Sequence, residues 1–281
     1  MILMISLSSC RQQSGEVETV VTVSIQPMKY FIDRLTGNAL EVNVMVPPGA
    51  SHSTYSPAPQ QFRRLSDSGF YIRVGYLGYE QAWIGRLREL NPTMEVLNLS
   101  DHTALIQGDE IDHGDHKHEG GIDPHIWMSP RVMQDLLPNI KEIIVRVYPD
   151  LEEVVAENYP VLMAELGELD REFRHLPQEL THNSFMIYHP ALTYLARDYG
   201  FTQISIEHEG KEPSPAMLQR IIRDARDHHI PVIFIQAEYD MRSAELISKE
   251  TGAKMAQIRP EGYDYLQIMH QVIGHMREYM K

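Results

Sequence analysis

A chain of 281 residues, 43% hydrophobic and 23% charged, is long enough for one large or two modest domains and has the composition of a soluble globular protein rather than a disordered one. Its formal net charge of −14 argues against nucleic acid or anionic lipid as the main partner, because an acidic surface repels both, and it mildly favours cations. No run of about 20 apolar residues is present to cross a membrane as a helix.

The first residues, "MILMISLSSCRQQSGE", join a short apolar segment to Leu-Ser-Ser-Cys and then to polar residues. This resembles the end of a bacterial lipoprotein signal, with Cys10 as the lipidated residue and 1–18 as signal and tether, although no Lys or Arg precedes the apolar segment. The alternative is a short signal peptide with an incidental thiol. Cys10 is the only cysteine, so no intramolecular disulfide can form, and any metal in the folded body must be held by nitrogen and oxygen.

From residue 19 the chain alternates strand and helix patterns. "TVVTVSI" reads as a strand, and "MKYFIDRLTG" as a helix stopped at Gly37. "EVNVMVP" reads as a second strand, followed by a helix opening near Ser56-Pro57, a cap residue before a first-turn proline. "FYIRVG" and "MEVLNLS" are strands flanking the helical "YEQAWIGRLREL". This βαβ series predicts a first lobe, 19–149, with a mostly parallel sheet.

Between Leu151 and Phe173 apolar residues recur every three or four positions, predicting one long helix, kinked at most at Pro160 or Gly167, within a linking segment 150–176. Alternation resumes over 177–281 with "SFMIYH", "ALTYLARDYG", "TQISIEH", "SPAMLQRIIRDARDHH", "PVIFIQAE", "SAELISKETG", "KMAQI" and a terminal helix from Tyr263. The predicted fold class is α/β: two lobes with mostly parallel sheets, joined by a long rigid helix.

Most of the fourteen histidines need no special role; His228 and His229 end a helix, and His270 and His275 sit on the last one. Three occupy different ground. His52 follows the second strand, His125 closes the first lobe's strand series, and His189 ends the strand that opens the second lobe. In open α/β sheets the carboxyl ends of strands line the ligand crevice, so the three could converge. Singly each is more simply a hydrogen-bonding residue; together they suit zinc, for which three imidazoles leave one position of a tetrahedron over.

"MVPPGASHSTYSP", "YLGYEQAWIGRL", "DPHIWMSP", "YHPALTYLARDYG", "EPSPAMLQRII" and "ELISKETGAKM" occur in the order seen in the metal-binding proteins of ABC importers, the zinc- and manganese-uptake group. The chain resembles that family over roughly 19–280, and "DPHIWMSP" is the most specific piece. The resemblance implies two α/β lobes bridged by a rigid helix, with metal in the cleft between them. It implies His125 and His189 as ligands, and histidine at the latter position favours zinc over manganese, which prefers carboxylate oxygen. His52 is the third implied ligand, although an ungapped match sets it on the family's proline and Ser53 on its histidine.

For the fourth position, relatives commonly place an acidic ligand just before a proline after the last strand, where this chain has Arg259, which has no lone pair to give. Glu238, Asp240 or a water would fill the gap. The segment 101–119, with His113, His116 and His118, corresponds to the histidine- and acid-rich loop of zinc members, where it would collect zinc weakly; the alternative is a solvated loop with no specific task. The implied function is an extracytoplasmic solute-binding protein, a monomer, that captures Zn²⁺ and hands it to an ABC importer permease, lipid-anchored at Cys10 on the periplasmic side or soluble there. Manganese or iron binding is the nearest alternative. A zinc-dependent hydrolase is weaker, because no HExxH helix or comparable base appears. An adhesin role has no residue to support it.

Overall fold

The computed structural model describes residues 20–107, 111–112, 117–118, 121–207 and 212–281. The first lobe is built from β1 (Val20–Val23), α1 (Gln26–Thr36), β2 (Glu41–Val44), α2 (Pro59–Ser66), β3 (Phe70–Arg73), α3 (Gly78–Leu90) and β4 (Glu95–Asn98). A two-residue antiparallel pair, β5 (Ile111–Asp112) and β6 (Lys117–His118), precedes α4 (Pro130–Val147) and α5 (Glu152–Glu179). The second lobe holds β7 (Ser184–Ile187), α6 (Thr193–Tyr199), β8 (Thr202–Ser205), α7 (Pro215–Asp227), β9 (Val232–Gln236), α8 (Arg242–Thr251), β10 (Lys254–Ile258) and α9 (Tyr265–Tyr279).

Both sheets are parallel, in the orders β2-β1-β3-β4 and β10-β9-β7-β8. Helices cover both faces, and accordingly β1 and β9 are buried along their whole length and read as mostly apolar runs, broken only by Thr22 and ended by Gln236. Strand order reverses between β1 and β3 and between β7 and β9, where a doubly wound sheet opens its crevice. In the first lobe that crevice is plugged. Glu80, fully buried, accepts the Val74 and Gly75 N–H groups at 2.9 and 2.6 Å and the Ser24 hydroxyl, and Ser24 in turn meets Tyr71, which meets Tyr79. In the second lobe Gln236, at the end of β9, pairs with the backbone of His189, donating to its carbonyl at 2.8 Å and accepting its N–H at 3.3 Å.

α1 ends as its sequence predicts, at Gly37 with φ 62°, whose N–H bonds the Asp33 carbonyl. The helix expected to open at Ser56-Pro57 opens instead at Pro59. Ala58, held between two prolines at φ −72° and ψ 154°, cannot turn helical, and its N–H is taken by the Gln61 side chain at 2.8 Å. The final helix likewise opens later than predicted: Asp264 caps it through the Gln267 N–H, and Tyr263 lies outside, donating to Asp33 of the first lobe. The long helix continues past Phe173 through Pro177 to Glu179.

The apolar interior does not divide with the lobes. One cluster runs from β1 and α4 through Leu166, Leu169 and Phe173 of α5 to Phe185, Phe234, Met269 and Met276. A smaller cluster beneath α7 and α8 belongs to the second lobe alone. α9 packs on α5, and Tyr265 sits 5.0 Å from Phe31 of α1, so the two sheets are fixed to each other by shared core.

Candidate metal centre

His52, His125 and His189 meet between the lobes, each offering a ring nitrogen within 4.8 Å of the others. They are buried, at 2%, 2% and 9% exposure. Local chemistry fixes each arm. "DPHIWMSP" forms a short loop and a single 3₁₀ turn, Ile126–Met128, then ends in Ser129 and Pro130, the cap and first residue of α4. Ser129 accepts the Val132 N–H at one end and donates to Asp198 of α6 at 2.6 Å, tying the loop to the second lobe. Trp127, fully buried, lies 5.2 Å from the His125 ring and donates its indole N–H to the Pro260 carbonyl at 2.9 Å.

Each imidazole is held through Nδ1 by a carboxylate. Glu261 pairs with His52 at 2.5 Å, Asp123 with His125 at 2.9 Å, and Glu207 with His189 at 3.3 Å. A carboxylate at Nδ1 keeps the proton there and leaves Nε2 with its lone pair, the arrangement metal-binding histidines use. The Nε2 atoms of His125 and His189 stand 3.2 Å apart. Two nitrogens bound to one tetrahedral zinc at its usual bond length lie about 3.3 Å apart. Two lone pairs held this close repel unless a cation sits between them. Burial, opposed by the neighbouring Asp123 carboxylate, lowers the His125 pKa to about 4, so this ring is neutral over the whole physiological range.

The other residues named from sequence are placed unequally. Glu238 lines the same cavity. Asp240 does not: it is exposed and paired with Arg242 at 2.7 Å. Arg259 is exposed as well. Cys10, His113 and His116 lie outside the described residues, and of His118 only the backbone, in β6, is described. Sequence reasoning missed Glu207, Glu261, which follows Pro260 rather than preceding it, and Tyr239, whose ring stacks on His189 at 4.8 Å and 14°. An acid one step past the proline was the available sign for Glu261; Tyr239 left none.

The family model for ZnuA, described as zinc-uptake complex component A, periplasmic, matches residues 21–279. Among curated relatives, the zinc-binding lipoprotein AdcA of Streptococcus pneumoniae is 24% identical over 99% of this chain, which spans only 58% of AdcA's length. The high-affinity zinc uptake system protein ZnuA of Bacillus subtilis is 25% identical over 97% of this chain and 91% of its own. The crystal structure of a ZnuA deletion mutant with zinc bound superposes with a TM-score of 0.84 at 30% identity, covering 93% of this chain and 98% of the other.

Proposed function

The chain belongs to the periplasmic component A family of zinc-uptake complexes, and from that premise we propose that it captures Zn²⁺ outside the cytoplasmic membrane and delivers it to an ABC-type zinc importer. One observation carries the reading to the atoms: three buried imidazoles turned inward, each with Nδ1 engaged by its own carboxylate. On this reading His52, His125 and His189 hold the ion through nitrogen, which suits zinc better than manganese. Glu238 or a water takes the fourth position. Three carboxylates around the centre are occupied in orienting histidines, and Glu238 alone of the cavity's acids is left to serve as a ligand.

Calorimetry of metal-free protein tests the assignment. One tight zinc per chain is expected, with affinity lowered by orders of magnitude in His125→Ala and His189→Ala, and manganese failing to displace zinc. Wild-type affinity in either variant would refute it. Two proposals concern residues outside those described. Lipidation at Cys10 predicts that Cys10→Ser releases the protein from membranes, and an unchanged membrane fraction would exclude it. Weak zinc collection by the 101–119 loop predicts that deleting 108–119 removes weak binding events and spares the tight one; a titration in which every weak event survived would exclude that.

A further inference from the structure

With the three histidines this deeply enclosed, an ion needs a wall that can move, and three of the four walls are braced from behind. Trp127 lies fully buried and bonded to Pro260. The His125 loop is held by Asp123, whose carbonyl accepts the Tyr194 hydroxyl at 2.9 Å. The His52 loop is pinned by Glu261. The fourth wall is the turn between β9 and α8, where Ala237, Asp240 and Met241 are exposed and only Tyr239 and Glu238 reach inward.

Tyr239 spans the cleft. Its ring lies flat on His189 of the second lobe. Its hydroxyl reaches the first lobe, 3.3 Å from the Oγ of Ser51, the residue before His52. We infer that Tyr239 is the gate of the metal centre: its ring covers His189, its hydroxyl clasps the serine beside His52, and zinc passes only when the turn carrying it swings out. The Tyr239 side chain adds no ligand to the ion. It sets how fast the ion enters and leaves, and the binding equilibrium stays with the histidines and whichever group, Glu238 or a water, takes the fourth position.

The inference rests on the zinc-capture reading, and one experiment separates the two. Zinc capture and release by the full chain are followed by stopped flow against a fluorescent chelator, for wild type, Tyr239→Phe, Ser51→Ala, and the two together. Tyr239→Phe keeps the stacked ring and deletes the clasp. It is expected to raise release and capture alike, by roughly 3-fold to 10-fold for a lost hydroxyl contact, with Kd nearly unchanged. Ser51→Ala should do the same, and the double variant should be no faster than Tyr239→Phe alone, because the two hydroxyls make one contact. Wild-type rates in Tyr239→Phe, a rise in release without a matching rise in capture, or full additivity in the double variant would each overturn the gate. A wild type that fails to bind one zinc per chain would overturn the capture reading instead.

Discussion

His125 shows how one residue couples burial to metal readiness. Its ordinary pKa of 6.5 falls to about 4 because the buried ring loses water, a loss that Asp123 only partly offsets. The sign follows directly: with the folded pKa below the unfolded one, the unfolded chain binds more protons between these values. Stability is therefore in place above pH 6.5 and is lost as pH falls toward 4. For metal-free protein this one group contributes on the order of 3 kcal/mol. Urea denaturation at pH 7 and pH 4.5 should show a steeper acid loss in wild type than in His125→Gln; parallel losses would contradict the assignment. The sequence pointed to this position through "DPHIWMSP", which holds the proposed ligand, Asp123 and the cap of the next helix in eight consecutive positions, although the roles of Asp123 and Ser129 emerge only in the fold. Glu261 and Glu207 were not so marked. Glu261 offers one local sign, its place just past the proline, but the histidine it meets is 209 residues away; Glu207 meets His189 only 18 residues back, and nothing in the intervening sequence announces the pair.

At the scale of elements, Glu80 decides where the first sheet can and cannot bind. It stands in the first turn of α3 and reaches back to cap the exit of β3, filling the crevice that a doubly wound sheet would otherwise present. The ligand position is thereby left to the interlobe cleft. Glu80→Ala would strand two buried amides, each unpaired group costing about 1–3 kcal/mol, while Ser24 would keep its bond to Tyr71. Chemical denaturation should show a loss of about 3 kcal/mol or more, and a loss under about 1 kcal/mol would mean that the network is not what holds the turn. The elements themselves were mostly legible: buried parallel strands, the Gly37 stop and the long periodic run of α5 have local signatures. The start of α2 was not. Ser56-Pro57 looks like a cap, but a second proline two positions on forbids Ala58 the helical conformation and moves the start to Pro59. α4 went undelimited, although its Ser129-Pro130 opening was in view inside the metal motif.

The whole molecule departs from the sequence reading in one respect. Alternating elements on either side of a long helix suggest two lobes with separate interiors, yet one apolar cluster joins them through α5 and α9. Periodicity reports which face of an element is buried, not which neighbour buries it, so shared core is invisible before the fold is known. Its consequence for function is mechanical. Lobes joined by Phe173, Tyr265 and Met269 are poorly suited to opening like a hinged jaw, so on the zinc-capture reading proposed above exchange of the ion would fall to smaller parts at the cleft mouth. The histidines, by contrast, are carried on loops anchored to rigid elements, His52 after β2, His189 after β7 and His125 ahead of α4, which is how three residues distant in sequence hold one geometry. X-ray absorption at the zinc edge of the loaded protein tests that geometry most directly. Three imidazole nitrogens at about 2.0–2.1 Å, reduced to two in His125→Ala, are the predicted shell. A shell dominated by carboxylate oxygen, or one that His125→Ala leaves unchanged, would contradict it.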